Sequence, residues 1–171
     1  MSALSMYEIS IPALIRNLDN LASIIQKGAD YAKERELEDH VLVNWRLYPD
    51  MLPLAKQVQI ASDVSKGAAA RLSGTEPPSY EDNEASFEEL LARIAKTIDY
   101  LKSFEPGQID GSEDREVILK AGASEFKFSG RQYLSLFVLP NVYFHSTTAY
   151  NILRHNGVEL GKLDYLGNPN Q

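Results

Sequence analysis

The chain contains three histidines and no cysteine, so disulfides, thiolate metal sites and a cysteine nucleophile are excluded and imidazole is left as its most versatile reactive group. Two of the three, His145 and His155, lie in one stretch, GRQYLSLFVLPNVYFHSTTAYNILRHNG, from Gly130 to Gly157. Asn141 stands one helical turn before His145 and Thr148 one turn after it. An imidazole, an amide and a hydroxyl on one face could hold a metal, act as a general base or bind a small polar molecule. A histidine on a largely apolar face is more often a hydrogen-bonded core residue, however, and Asn141 is its expected partner.

Other reactive groupings are weaker. The single tryptophan, Trp45, stands beside Arg46 and could wall a pocket whose arginine orients an anion; closing the end of a core is the commoner role for such a residue. His40 sits among Glu38 and Asp39 and reads as surface. The acids Glu113, Asp114 and Glu116 resemble a metal cluster in composition but fall on an exposed strand entry. No serine occupies a G-x-S-x-G turn, and Gly161-Lys162 lacks the glycine spacing of a phosphate loop.

Helices must position these groups. Ser129 and Gln132 form a capping-box pair at the start of the long stretch and Gly157 supplies a stop. Between them Leu134, Val138, Asn141, His145, Thr148, Ile152 and His155 recur at helical spacing, with Pro140 predicting a bend. An earlier helix carries Ile11, Leu14, Ile15, Leu18, Leu21, Ala22, Ile25, Ala29 and Ala32, with Ser10 as its expected cap and Pro12 in its first turn. A second is expected to open at Pro49-Asp50. Met51, Leu54, Ala55, Val58, Ala61, Ser65, Ala68 and Leu72 form its inner face, Gln57 lies on its flank, and Lys56, Gln59, Asp63 and Lys66 point outwards. Its Gly67-Ala68-Ala69-Ala70 run lets a neighbour approach closely, and Gly74 ends it. Thr75 to Asn83 must be a loop. A third helix follows the Ser86-Glu89 capping box, with Glu89 and Arg93 as an outer ion pair. Alternation in Arg115–Lys120 and Ser124–Phe128, about a turn at Ala121-Gly122-Ala123, predicts a β-hairpin packing through Phe126 and Phe128. The segment after Gly157 folds back through Leu160, Leu163, Tyr165 and Leu166.

The reading is therefore an all-α four-helix bundle with a short β-hairpin before the last helix, in one domain spanning 1–171. A formal charge of −7 and a pI near 5.0 argue against a nucleic-acid or anionic-membrane partner. With no apolar run of membrane-spanning length and no signal-like N-terminus, a soluble, cytoplasmic protein is expected.

Four helices with a long crossover after the second, and a last helix ending in Leu153-Arg154-x-x-Gly157, resemble the DinB/YfiT-like four-helix bundles. Within that group, four strings are similar to the bacterial domain-of-unknown-function family DUF1993. They are Arg46-Leu47-x-Pro49-Asp50-Met51, Gln57-Val58-Gln59-Ile60, Lys66-Gly67-Ala68-Ala69-Ala70-Arg71-Leu72, and His145-x3-Ala149-Tyr150-x-Ile152-Leu153-Arg154-x-Asn156-Gly157-Val158. The resemblance implies a homodimer and a three-histidine site for a divalent metal, zinc or nickel, used by relatives that are thiol-dependent transferases, isomerases or hydrolases. Its ligand positions would fall on Asn141, His145 and a residue near Gln57. Two of the three are amides here, which are poor ligands for such metals, so the metal site is expected to be weakened or lost, with His145 its one remaining ligand and no cofactor expected. A carboxylate from Asp50 or Asp63 could compensate. What remains is a polar pocket of Gln57, Asn141 and His145, flanked by Arg46 and Trp45, for a small polar or anionic ligand. Two functions compete: a non-catalytic or ligand-binding dimeric bundle, and a divergent metal-dependent transferase or hydrolase with His145 as ligand or base.

Overall fold

The computed structural model describes residues 5–121 and 124–168 of the chain. The elements run α1 (Met6–Glu34), α2 (Asp39–Val43), α3 (Leu54–Ser73), α4 (Phe87–Lys102), α5 (Pro106–Ile109), β1 (Glu116–Ala121), β2 (Ser124–Ser129), α6 (Gly130–Gln132), a π-helical stretch (Tyr133–Val138), α7 (Leu139–His155) and α8 (Lys162–Leu166). Four long helices form the bundle. Around it α1 packs on α4, α4 on α3, α3 on α7 and α7 on α1, and each turns its apolar stripe inward. Leu14, Leu18, Leu21, Val58, Ala61, Ala68, Leu90, Ile94, Val142, Ala149 and Ile152 are fully buried. Among the described residues no helix is long and apolar enough to cross a membrane.

Two helix starts differ from expectation. The cap of α1 is Ser5, whose hydroxyl accepts the Glu8 N–H and donates to Asp110. Ser10 lies inside the helix and turns its hydroxyl back to the Met6 carbonyl at 2.6 Å, the alternative use a helical serine has for that group. α3 begins after Pro53, at Leu54, so Pro49-Asp50 sits in a turn closed by Met51 N–H on the Tyr48 carbonyl. In the last long stretch, where one helix bent at Pro140 was expected, a π-helical segment, Tyr133–Val138, stands directly before α7, which has Pro140 in its first turn. Proline offers no N–H and its ring opposes the carbonyl four residues back; a widened turn relieves both. Gly74 and Gly157 end α3 and α7 at φ of 80° and 96°, where a side chain would be strained.

The hairpin is antiparallel, with Val117 opposite Phe128 and Leu119 opposite Phe126. Those four share the face turned toward the helices. Val117 is buried and Phe128 packs on the core, but Phe126 is 50 % exposed, so it does not anchor the hairpin as expected. The turn residues Gly122 and Ala123 lie outside the described residues. Glu113 is half-buried and Asp114 and Glu116 are solvated. At the C-terminal end Leu160 is buried and Tyr165 packs on the core, whereas Leu163 and Leu166 remain exposed.

Candidate functional site

His145 stands on α7 where that helix faces α3, and its side chain crosses to the neighbouring helix instead of bonding along its own. Nδ1 lies 2.7 Å from Oε1 of Gln57 in a buried contact. Gln57, 2 % exposed, sends its Nε2 to the Leu52 carbonyl at 2.9 Å. That second bond fixes the proton. A backbone carbonyl only accepts, so the amide nitrogen of Gln57 must face Leu52 and its oxygen must face His145; Nδ1 is then the protonated ring nitrogen and Nε2 carries the lone pair. Burial pushes the pKa of His145 below its ordinary value of 6.5, so the ring is neutral at pH 7. The Phe144 ring meets the imidazole edge-on with centroids 5.2 Å apart. Nε2 makes no hydrogen bond to any described residue.

The other expected site residues are placed differently. Asn141 is half-buried and its side chain makes no hydrogen bond among the described residues, so Gln57 takes the partnership the sequence assigned to it. Trp45 is 43 % exposed. Arg46 is exposed and reaches the Pro49 carbonyl at 3.5 Å. Both belong to the loop that contributes the Leu52 carbonyl, but neither forms a hydrogen bond or ion pair with Gln57 or His145. His155 is exposed, and His40 faces Glu38 at the surface, 3.1 Å away.

As a metal site this constellation supplies too few donors. Nδ1 of His145 and the amide of Gln57 are spent on each other and on Leu52, which leaves Nε2 alone. Asp63 is held by Lys66 and Arg93 at 2.6 and 2.8 Å, and Asp50 is exposed in its loop. No group of three or more His, Cys, Asp or Glu among the described residues could hold an ion. Zinc and nickel sites need several converging imidazole, thiolate or carboxylate groups, and these residues do not fit one.

Two further polar arrangements escaped the sequence reading. Ser146 donates to Asn17 across the α7–α1 interface at 2.6 Å; the signal was Asn17 interrupting the stripe between Leu14 and Leu21. The larger one surrounds Arg93, 4 % exposed and far from the outer position expected for it. Its guanidinium donates to Asp63 and Glu84 at 2.8 Å and to the Glu81 carbonyl at 2.9 Å, with Asp82 at 3.1 Å. Glu89 instead accepts the Ala85 and Ser86 N–H groups. Gln59 bonds Glu84 at 2.7 Å and Lys56 bonds Asp82 at 2.8 Å. The supposedly outward face of α3 is therefore roofed by the crossover segment, which buries Gln59 and Lys66. Burial alone would raise the pKa of Asp82 and Glu84, but hydrogen bonds and charge from Lys56, Arg93 and Gln59 outweigh it and hold both carboxyls below their ordinary range.

The family model described as Domain of unknown function (DUF1993) matches residues 6–166. The chain belongs to that family. This DUF1993 chain is also similar to a crystal structure of a DinB family member protein from Shewanella denitrificans. The two share a TM-score of 0.85 and 36 % sequence identity over 95 % of this chain and 92 % of that one. A search of curated proteins finds no match.

Proposed function

We propose that this DUF1993 chain is a non-catalytic dimeric bundle in which the metal position implied by the DinB resemblance has become a hydrogen-bonded clamp between α3 and α7. The observation that carries this reading is the linked pair of bonds from His145 to Gln57 and from Gln57 to Leu52, which uses the donors a metal would need. Gln57 and His145 are 2 % and 9 % exposed, which supports a packed junction over an open active site. A small ligand at Nε2 would have to donate a hydrogen bond, because a neutral imidazole with a bare Nε2 gives an anion nothing to hold. Dimerisation is supported by Leu136 on the π-helical stretch and Tyr143 and Phe144 on α7, which are 67 %, 41 % and 60 % exposed. The metal-dependent transferase or hydrolase reading would route its chemistry through the same Nε2, and no second donor accompanies it there.

Titration of tag-free protein with Zn²⁺ and Ni²⁺ tests this. The expected result is no tight stoichiometric binding and no difference between wild type and His145→Ala. One equivalent bound tightly and lost in His145→Ala would overturn the clamp in favour of the enzyme.

A further inference from the structure

The part of α3 from Val64 to Arg71, about 10 to 21 Å along the helix from Gln57 at a rise of about 1.5 Å per residue, lines a cleft that the clamp does not use. Arg71, near the end of α3, folds its guanidinium back over Gly67 and donates to the Tyr133 hydroxyl at 3.2 Å. Gly67 is what makes this possible, since a Cβ there would run into Nη1 of Arg71. The small-residue run thus houses an arginine as well as admitting a neighbouring helix. Beyond that single neutral contact the guanidinium has donors to spare, and no carboxylate among the described residues lies within ion-pair distance of it. Asp63 shares the cleft, but its charge is answered by Lys66 and Arg93. Glu76, Glu116 and Glu125 line the neighbouring groove on the far side of Arg71, accompanied by Arg115 and Lys120.

The walls are apolar. Val64, Leu119, Phe126, Tyr133 and Phe137 enclose about 270 Å³ with Arg71 and Lys120 at the edge. Tyr133 and Phe137, on the π-helical stretch, stack with centroids 5.8 Å apart and planes 16° from parallel. The cleft exists because the hairpin lifts off the helices toward its turn: Val117 is 3 % exposed, while Phe126, two pairs further along the same face, is 50 % exposed. A core-facing aromatic left half wet beside an arginine without a counter-ion is a joint deficit that one ligand could satisfy.

We propose that this cleft binds a small planar aromatic carboxylate, with the carboxylate on the Arg71 guanidinium and the ring against Phe126, Phe137 and Leu119. A planar fork of donors matches a carboxylate, and apolar walls with Arg71 and Lys120 confined to the edge suit an anion with an apolar body. The volume lies at the small end of ligand pockets and limits the body to one or two rings.

The test is a ¹H–¹⁵N NMR titration of the full chain with 2-naphthoate, and with 2-naphthylmethanol as its neutral counterpart. Saturable shifts confined to the hairpin, Tyr133–Phe137 and the Val64–Arg71 part of α3 are expected with a Kd at or below about 1 mM, as the size of the probe allows. The alcohol should bind at least tenfold more weakly. Arg71→Gln should weaken the acid at least tenfold. Gly67→Ala, which displaces only the flexible end of Arg71, should do the same and serves if Arg71→Gln does not fold. Phe126→Ala, half exposed and outside the core, should weaken acid and alcohol alike. No saturable shift up to about 10 mM, equal binding of acid and alcohol, or acid binding unchanged in the Arg71 and Gly67 variants would overturn the proposal.

Discussion

The imidazole of His145 and the amide of Gln57 meet 2.7 Å apart between two helices, 88 positions apart in the chain. Because Gln57 is itself tied to the Leu52 carbonyl, the contact joins α7, α3 and the loop leading into α3 in one polar chain. Networks of this kind are valuable only when complete, since a lone donor left in a buried position costs more than the whole bond contributes.

Removing both partners should therefore cost less than the two separate removals added together. Gln57→Ala leaves the Nδ1–H of His145 without an acceptor and is expected to cost about 1–3 kcal/mol. Gln57→Leu combined with His145→Leu should cost less than the sum of the two single changes, with a coupling of about 1 kcal/mol. Urea denaturation of the four proteins in the cycle measures this; additive effects would show that the two side chains do not act as a pair.

Arg93 answers for the crossover. Arg93→Met strands the carboxylates that face it, of which Glu84 is the most buried, and is expected to cost about 3 kcal/mol. Arg93→Lys should not restore stability, because an ammonium cannot reach Asp63, Glu84 and the Glu81 carbonyl together. Proteolysis should then cut within residues 75–86 before the bundle itself. Wild-type resistance in that segment in either variant would show that the strap is held by something else.

The proposed dimer has its own readout. Sedimentation should give twice the 19.1 kDa chain mass. Phe144→Lys, on an exposed position, should shift the protein to monomer without lowering its helix content. A monomeric wild type would remove the dimer from the account.

Much of the bundle was legible in the sequence because amphipathic stripes and capping boxes are local signals. The stripes of α1, α3 and α4, the Ser86 and Ser129 boxes and the two stop glycines report their own surroundings. What failed was non-local. Gln59, Asp63 and Lys66 read as an outer face since nothing in α3 announces that residues 79–84 lie across them. Arg93 looked like a partner for Glu89 by i,i+4 spacing, yet the capping box had already claimed that carboxylate. His145 was matched with its helical neighbour Asn141, while its real partner stands on another helix and was reachable only through the DinB resemblance that pointed near Gln57. Arg71 gave no sign of a cleft, because its aromatic walls come from two other elements.

The proton on His145 tests the clamp most directly. A long-range ¹H–¹⁵N spectrum of the histidine rings should show His145 as the neutral tautomer protonated at Nδ1 with a bare Nε2, insensitive to added Zn²⁺. Its pKa should lie below 6.5. The unfolded chain then binds a proton before the folded one does, so the stability His145 contributes is full above 6.5 and falls as pH drops from there through the folded pKa. An Nε2-protonated ring, a pKa above 6.5, or a zinc-dependent shift at Nε2 would contradict the account.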